Sequence, residues 1–167
     1  MRINTVRLRV LLGILATILP IIVAVLYGFI PPSISATYYT AACITPFMII
    51  LGASSILLIS YKGYTLLDDI ILTVAGITGL CICLFPCYTS TLILVGTFQI
   101  PALISDTIHC IAAVIFFLLL AFNSFFLFTK GSGEPTRNKK IRNIIYRICG
   151  VGMVASFALL LLPYFYG

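Results

Sequence analysis

Five apolar stretches separated by short hydrophilic connections, with every lysine and arginine confined to alternate connections, constrain this chain more than any other feature. Arg2, Arg7 and Arg9 precede the first stretch, and Lys62 lies between the second and third. Lys130, Arg137, Lys139, Lys140, Arg142 and Arg147 surround the connection between the fourth and fifth. Translocated loops are depleted in Lys and Arg, so five crossings put all three basic groups on the same, cytoplasmic side of a membrane. With 62% hydrophobic and 8% charged residues, the chain lacks the charge that a water-facing surface needs.

The expected fold is therefore all-α, an integral membrane bundle of five transmembrane helices at about 9–29, 41–61, 69–86, 105–128 and 146–166. The N-terminus is expected in the cytoplasm and the C-terminus outside it, with one bundle domain filling residues 1–167. The first stretch is too long for a signal peptide and ends at Pro31-Pro32 without a small-residue cleavage site, so it reads as a retained span. Residues 88–104 are apolar but short, and are broken by Gly96 and Pro101. A sixth crossing there would move Lys130 to Arg142 to the outside, so the segment is expected to be interfacial or re-entrant on the outer face. The net charge of +6 follows from membrane insertion and does not point to nucleic acid. The partners expected are membrane lipids, with a second copy of the chain or another membrane protein as the macromolecular alternatives.

Inside the spans the helical repeat marks packing faces. Thr45, Gly52 and Ser55 share a side of the second span, and Asp69, Thr73, Gly76, Gly79 and Cys83 a side of the third, as close helix contact in lipid prefers. Asp68 and Asp69 open the third span, where carboxylates complement the helix dipole and Lys62 is near.

The residues that could carry chemistry gather at the outer end of the fourth span. Asp106 and His109 are three apart and share a face, which continues through Ala113, Phe116, Leu120, Asn123 and Ser124. His109 is the only histidine. Ionisable groups at membrane depth are costly, so the pair is a candidate site as well as a candidate helix cap. In the functional reading Asp106 orients a neutral His109 imidazole as a general base. A Ser-His-Asp arrangement would take Ser33 or Ser35 as nucleophile, although no strained nucleophile turn is present. Neither a metal nor a cofactor is expected: no tight ligand spacing exists, and one histidine cannot supply a bis-histidine haem. Cys43, Cys87 and Cys110 fall near the outer boundary, and Cys87 with Cys110 is the pair best placed for a disulfide.

Ser33-Ile34-Ser35, Ala75-Gly76-Ile77, Leu84-Phe85-Pro86 and Ile108-His109 together resemble prokaryotic multi-span membrane families of unknown function. Those families carry an outer Ile-Ser motif, a Phe-Pro span end and a histidine opening the next span. The likeness covers roughly residues 33–128. It implies a bundle with Ser35, Pro86 and His109 together on the outer face, and carries no established activity. Alkaline ceramidases and adiponectin receptors offer a more distant comparison, but their H-x-x-x-H zinc pair is missing here.

Three functions follow as expectations. The first is binding of a lipid, an apolar ligand or a partner protein at an outer pocket lined by Ser33, Ser35, Tyr38, Tyr39, Asp106 and His109. The second is a lipid-modifying enzyme using His109 and Asp106. The third, a transporter subunit, ranks last because mid-membrane offers only Asn123 and Ser, Thr and Cys side chains. The expected location is the cell membrane, specifically a bacterial inner membrane, with several passes.

Overall fold

The computed structural model describes residues 5–28, 30–63, 65–127, 129 and 136–166, and the side chains among them from Arg7 to Ser156. The fold is all-α. Among the described residues five α-helices follow one another: α1 (Thr5–Tyr27), α2 (Ala41–Ser60), α3 (Leu66–Leu84), α4 (Ala102–Phe122) and α5 (Arg137–Tyr166). Among the described residues four stretches are long and apolar enough to cross a membrane: Arg7–Tyr27, Ala41–Ser60, Leu66–Leu84 and Ala102–Leu127. For the fifth expected span, 146–166, the helix is present, and the side chains beyond Ser156 lie outside the described residues.

Each helix packs on the next in sequence, α1 on α2, α2 on α3, α3 on α4 and α4 on α5. The α2–α3 contact is closest because Gly76 and Gly79 remove side chains from it. A Cβ on Gly76 would lie 2.5 Å from the Ser55 carbonyl oxygen, and one on Gly79 would lie 2.3 Å from the Ser55 hydroxyl. Small residues let backbones approach in this way where hydrophobic burial offers little between helices in lipid. Gly52, expected on the same contact face, has open space beside it and takes no part. Helix α1 packs on α2 but stands off from α4, and most of its large side chains face outward.

Several helices start earlier than the expected spans, and capping explains one of these starts. Helix α3 begins at Leu66 because Thr65 and Asp68 form a reciprocal capping box, the Asp68 N–H donating to Thr65 Oγ1 and the Thr65 N–H to Asp68 Oδ2. Asp69 accepts the Gly63 N–H at 2.6 Å and faces Lys62 Nζ at 3.6 Å. Helix α4 begins at Ala102, directly after Pro101, so Asp106 lies a full turn inside the helix and does not cap it.

The segment 88–104 contains a small hairpin. Strands β1 (Leu94–Val95) and β2 (Ile100–Pro101) pair antiparallel, Leu94 opposite Pro101 and Val95 opposite Ile100. Its turn uses Gly96 at φ +72°, where a Cβ would meet Pro86 Cδ at 2.8 Å. Phe98 stacks on Phe85, so the hairpin rests on the end of α3.

Candidate functional site

The chain leaving α3 carries carbonyls that no helical turn can satisfy, and three α4 side chains take hold of it. Ser105 Oγ donates to the Pro86 carbonyl at 2.8 Å. Asp106 Oδ1 accepts the Tyr88 N–H at 2.8 Å. His109 Nδ1 lies 2.8 Å from the Phe85 carbonyl oxygen, and its Nε2 lies 3.0 Å from Ser35 Oγ. The expectation that Asp106 orients the imidazole is therefore corrected. Asp106 is turned toward the loop backbone, and a main-chain carbonyl holds the histidine.

That partner fixes the tautomer. A carbonyl oxygen can only accept, so the proton sits on Nδ1, and Nε2 of the neutral ring is left to accept the Ser35 hydroxyl. His109 is 5% exposed. Ser35 opens a 3₁₀ turn (Ser35–Tyr39) that enters the top of the bundle. The turn is anchored at several points. Ser33 Oγ accepts the Ala36 N–H at 3.0 Å, and the buried Thr37 donates its hydroxyl to Ile34 O. The Tyr39 hydroxyl donates to the Cys87 carbonyl at 2.5 Å. Tyr38 packs edge-on against both Tyr39 and Phe47. Burial, reinforced by Cys87, Tyr38 and Asp106, pushes the Tyr39 hydroxyl up to about 12, so it remains a donor. Burial and the Asp106 charge also raise the Cys87 thiol, which removes it as a rival nucleophile. All six cysteines are free thiols, and Cys110 donates to Asp106 Oδ1 at 3.8 Å instead of pairing with Cys87.

Below this network lies a cavity of about 520 Å³ in the gap between α1 and α4, with α2 as its back wall. Ile34 and Ser35 border it at one end, and Arg9, Asn123, Ser124 and Tyr146 at the other. Its length is apolar, set by residues such as Leu12, Leu19, Phe47, Leu51, Phe116 and Leu120. The small and polar stripe of α4, Ala113, Phe116, Leu120, Asn123 and Ser124, thus faces this space. Of the six residues expected to line a pocket, Ser35 alone borders the cavity. His109 stands behind it, while Ser33, Tyr38, Tyr39 and Asp106 shape and anchor the surrounding loops.

The far end was not foreseen from the sequence. Arg9 reads as a topology marker, yet its Nε–H donates to the Tyr61 hydroxyl at 2.5 Å and its guanidinium lies 5.5 Å from that ring's centre. Tyr61 is 3% exposed. A second void of about 10 Å³ touches Arg9, Tyr61, Asp68 and Asn123, and Asn123 Oδ1 is a buried acceptor with no protein partner. A void of that size among polar groups suits a single water.

Among the described residues no group of three or more His, Cys, Asp or Glu could hold a metal ion. In comparisons with family models, curated proteins and solved structures, the chain matches none, so the chemistry of the site is read from its own geometry.

Proposed function

We propose that this is a multi-pass membrane protein that takes one long hydrocarbon chain of a lipid into the cleft between α1 and α4, with the lipid's polar end at Ser35. The observation that carries this reading is the apolar cavity of about 520 Å³ with Ser35 bordering one end. Its volume lies within the range of ordinary ligand sites. From Arg9 to Pro20 the cleft follows α1 for about 16 Å at 1.5 Å per residue, giving a cross-section on the order of 30 Å². Such a shape suits a single extended chain better than a compact drug-like body. The standoff of α1 from α4 leaves a lateral way in from the bilayer.

The distribution of Lys and Arg supports a cytoplasmic N-terminus and an extracytoplasmic C-terminus, and so a position of Ser35 and His109 toward the outer leaflet of a cell membrane, in our reading a bacterial inner membrane. The likeness of Ser33-Ile34-Ser35, Phe85-Pro86 and His109 to prokaryotic multi-span families is in keeping with that location.

Native mass spectrometry of the protein released from mild detergent tests the reading. A lipid should remain bound at one per chain, and filling the cleft with Ala113→Phe should expel it without lowering the melting temperature greatly. Failure of any lipid to co-purify, with Ala113→Phe indistinguishable from wild type in lipid exchange, would sink it.

A further inference from the structure

We propose that Ser35 and His109 form a nucleophile–base dyad that transfers the acyl group of a long-chain lipid ester. The proposal rests on the cleft holding that ester's hydrocarbon chain. Three observations meet at this place. His109 Nε2 is the unprotonated nitrogen, because Nδ1 is committed to the Phe85 carbonyl at 2.8 Å, and it lies 3.0 Å from Ser35 Oγ. That is the distance and polarity at which a neutral imidazole removes a serine proton during attack. Ser35 borders the cavity whereas His109 is 5% exposed, so the hydroxyl meets the ligand and the base stands behind it. The 3₁₀ turn holding Ser35 is fixed from both sides by Ser33 and by Tyr39, which limits the freedom that would have to be lost on reaching attack geometry.

The chemistry balances without a metal. As Ser35 Oγ bonds to the ester carbonyl carbon, its proton moves to His109 Nε2. The carbonyl–alkoxy bond of the ester then breaks, the leaving alcohol takes the proton from Nε2, and the acyl group remains on Ser35. A water molecule next adds to the acyl carbon while giving its proton to Nε2. The Ser35 ester bond breaks, Ser35 Oγ recovers the proton, and a fatty acid leaves. The Phe85 carbonyl orients the ring but carries no full negative charge, so it stabilises the passing imidazolium less than a carboxylate would. A slow, single-site acyl transfer with a preference for long chains is the expected behaviour.

The test uses the full chain in lipid nanodiscs treated with a long-chain alkyl fluorophosphonate, with adducts mapped by peptide mass spectrometry. The expected result is one adduct, on Ser35, absent in Ser35→Ala and formed about 10²-fold or more slowly in His109→Gln. A hexadecanoyl ester of a fluorogenic alcohol should be cleaved faster than its butanoyl counterpart, and Ser35→Ala should abolish the difference. Because His109→Gln also removes a tie between the loops, its melting temperature and bound lipid are measured alongside. Wild-type protein that keeps its lipid but gives no Ser35 adduct overturns the dyad and leaves the chain-binding reading intact. An adduct on Ser35 with no long-chain preference and no retained lipid upholds the dyad and overturns the reading of the cleft.

Discussion

The two ends of the bundle solve the same problem by different means. At the His109 end, Ser105, Asp106 and His109 reach from α4 to backbone groups of residues 85–88, and Tyr39 reaches from the 3₁₀ turn to Cys87. Nearly every contact there ties a side chain to the main chain, and Asp106 brings the only full charge among these ties. At the Arg9 end, Thr65 and Asp68 cap α3, Lys62 faces Asp69, and Arg9 sits on Tyr61 beside a water-sized void. The arrangement around His109 fixes backbone in one geometry, with Ser35 bordering an apolar space. The one around Arg9 relies on charge, including an ion pair open to solvent. The first holds its groups more steadily, since a surface ion pair contributes little and is screened by salt.

The contrast can be broken most sharply at Gly96. Gly96→Val places a β-branched residue at φ +72° with its Cβ against Pro86 and the Leu84 carbonyl, and should cost about 3–4 kcal/mol. Thermal unfolding in detergent would measure it, and a shift near zero would mean that the hairpin does not brace the His109 end. His109→Ala strands the Phe85 carbonyl and the Ser35 hydroxyl together and should cost about 2–3 kcal/mol. The loss should be insensitive to salt, and a loss that fades in 1 M salt would contradict the neutral character of this network.

At the Arg9 end, Asp68→Ala removes the reciprocal cap of α3 and should cost about 1–2 kcal/mol, read as earlier amide exchange in the first turn of that helix. Tyr39→Phe should cost about 1 kcal/mol at neutral pH. Tyr39 also carries a pH signature. Its folded value is raised to about 12 from 10.0, so the stability it contributes is complete below pH 10 and is lost as pH climbs from there toward 12. Tyr39→Phe should flatten that alkaline decline, and an unchanged profile would place its cause elsewhere. The smallest effect belongs to Lys62→Ala, whose partner contact is exposed, with less than about 0.5 kcal/mol expected and full screening by salt.

Much of the bundle was legible because long apolar stretches of this length form helices. The second helix was expected at 41–61 and runs Ala41–Ser60. The third and fourth start three residues earlier than expected, at Leu66 and Ala102, and α1 starts earlier still, at Thr5, since an apolar run does not mark where a helix begins, and only at α3 does a capping box show it. The face of α4 from Ala113 to Ser124 could be read from spacing alone. What holds His109 could not. Its partner is a main-chain carbonyl, and a carbonyl belongs to every residue, so no letter at position 85 announces it. Asp106 at i−3 was the visible alternative, and the loop backbone claimed it first. Arg9 was hidden differently, because a basic residue before a span already has a sufficient explanation.

Between Asn123 and Leu127 the backbone of α4 widens into a π turn. Such a turn carries about one residue more than an α turn, so its side chains fall out of phase with a regular helix. Phe116, Leu120 and Ser124 all border the cleft, and Ser124 also donates to the Tyr146 carbonyl of α5. Removing one residue here would leave a regular helix of nearly the same apolarity, still able to cross a membrane. It would nonetheless turn the side chains up to Leu127 toward different neighbours. The extra residue thus sets which way the end of this helix presents its side chains, where the cleft meets α5.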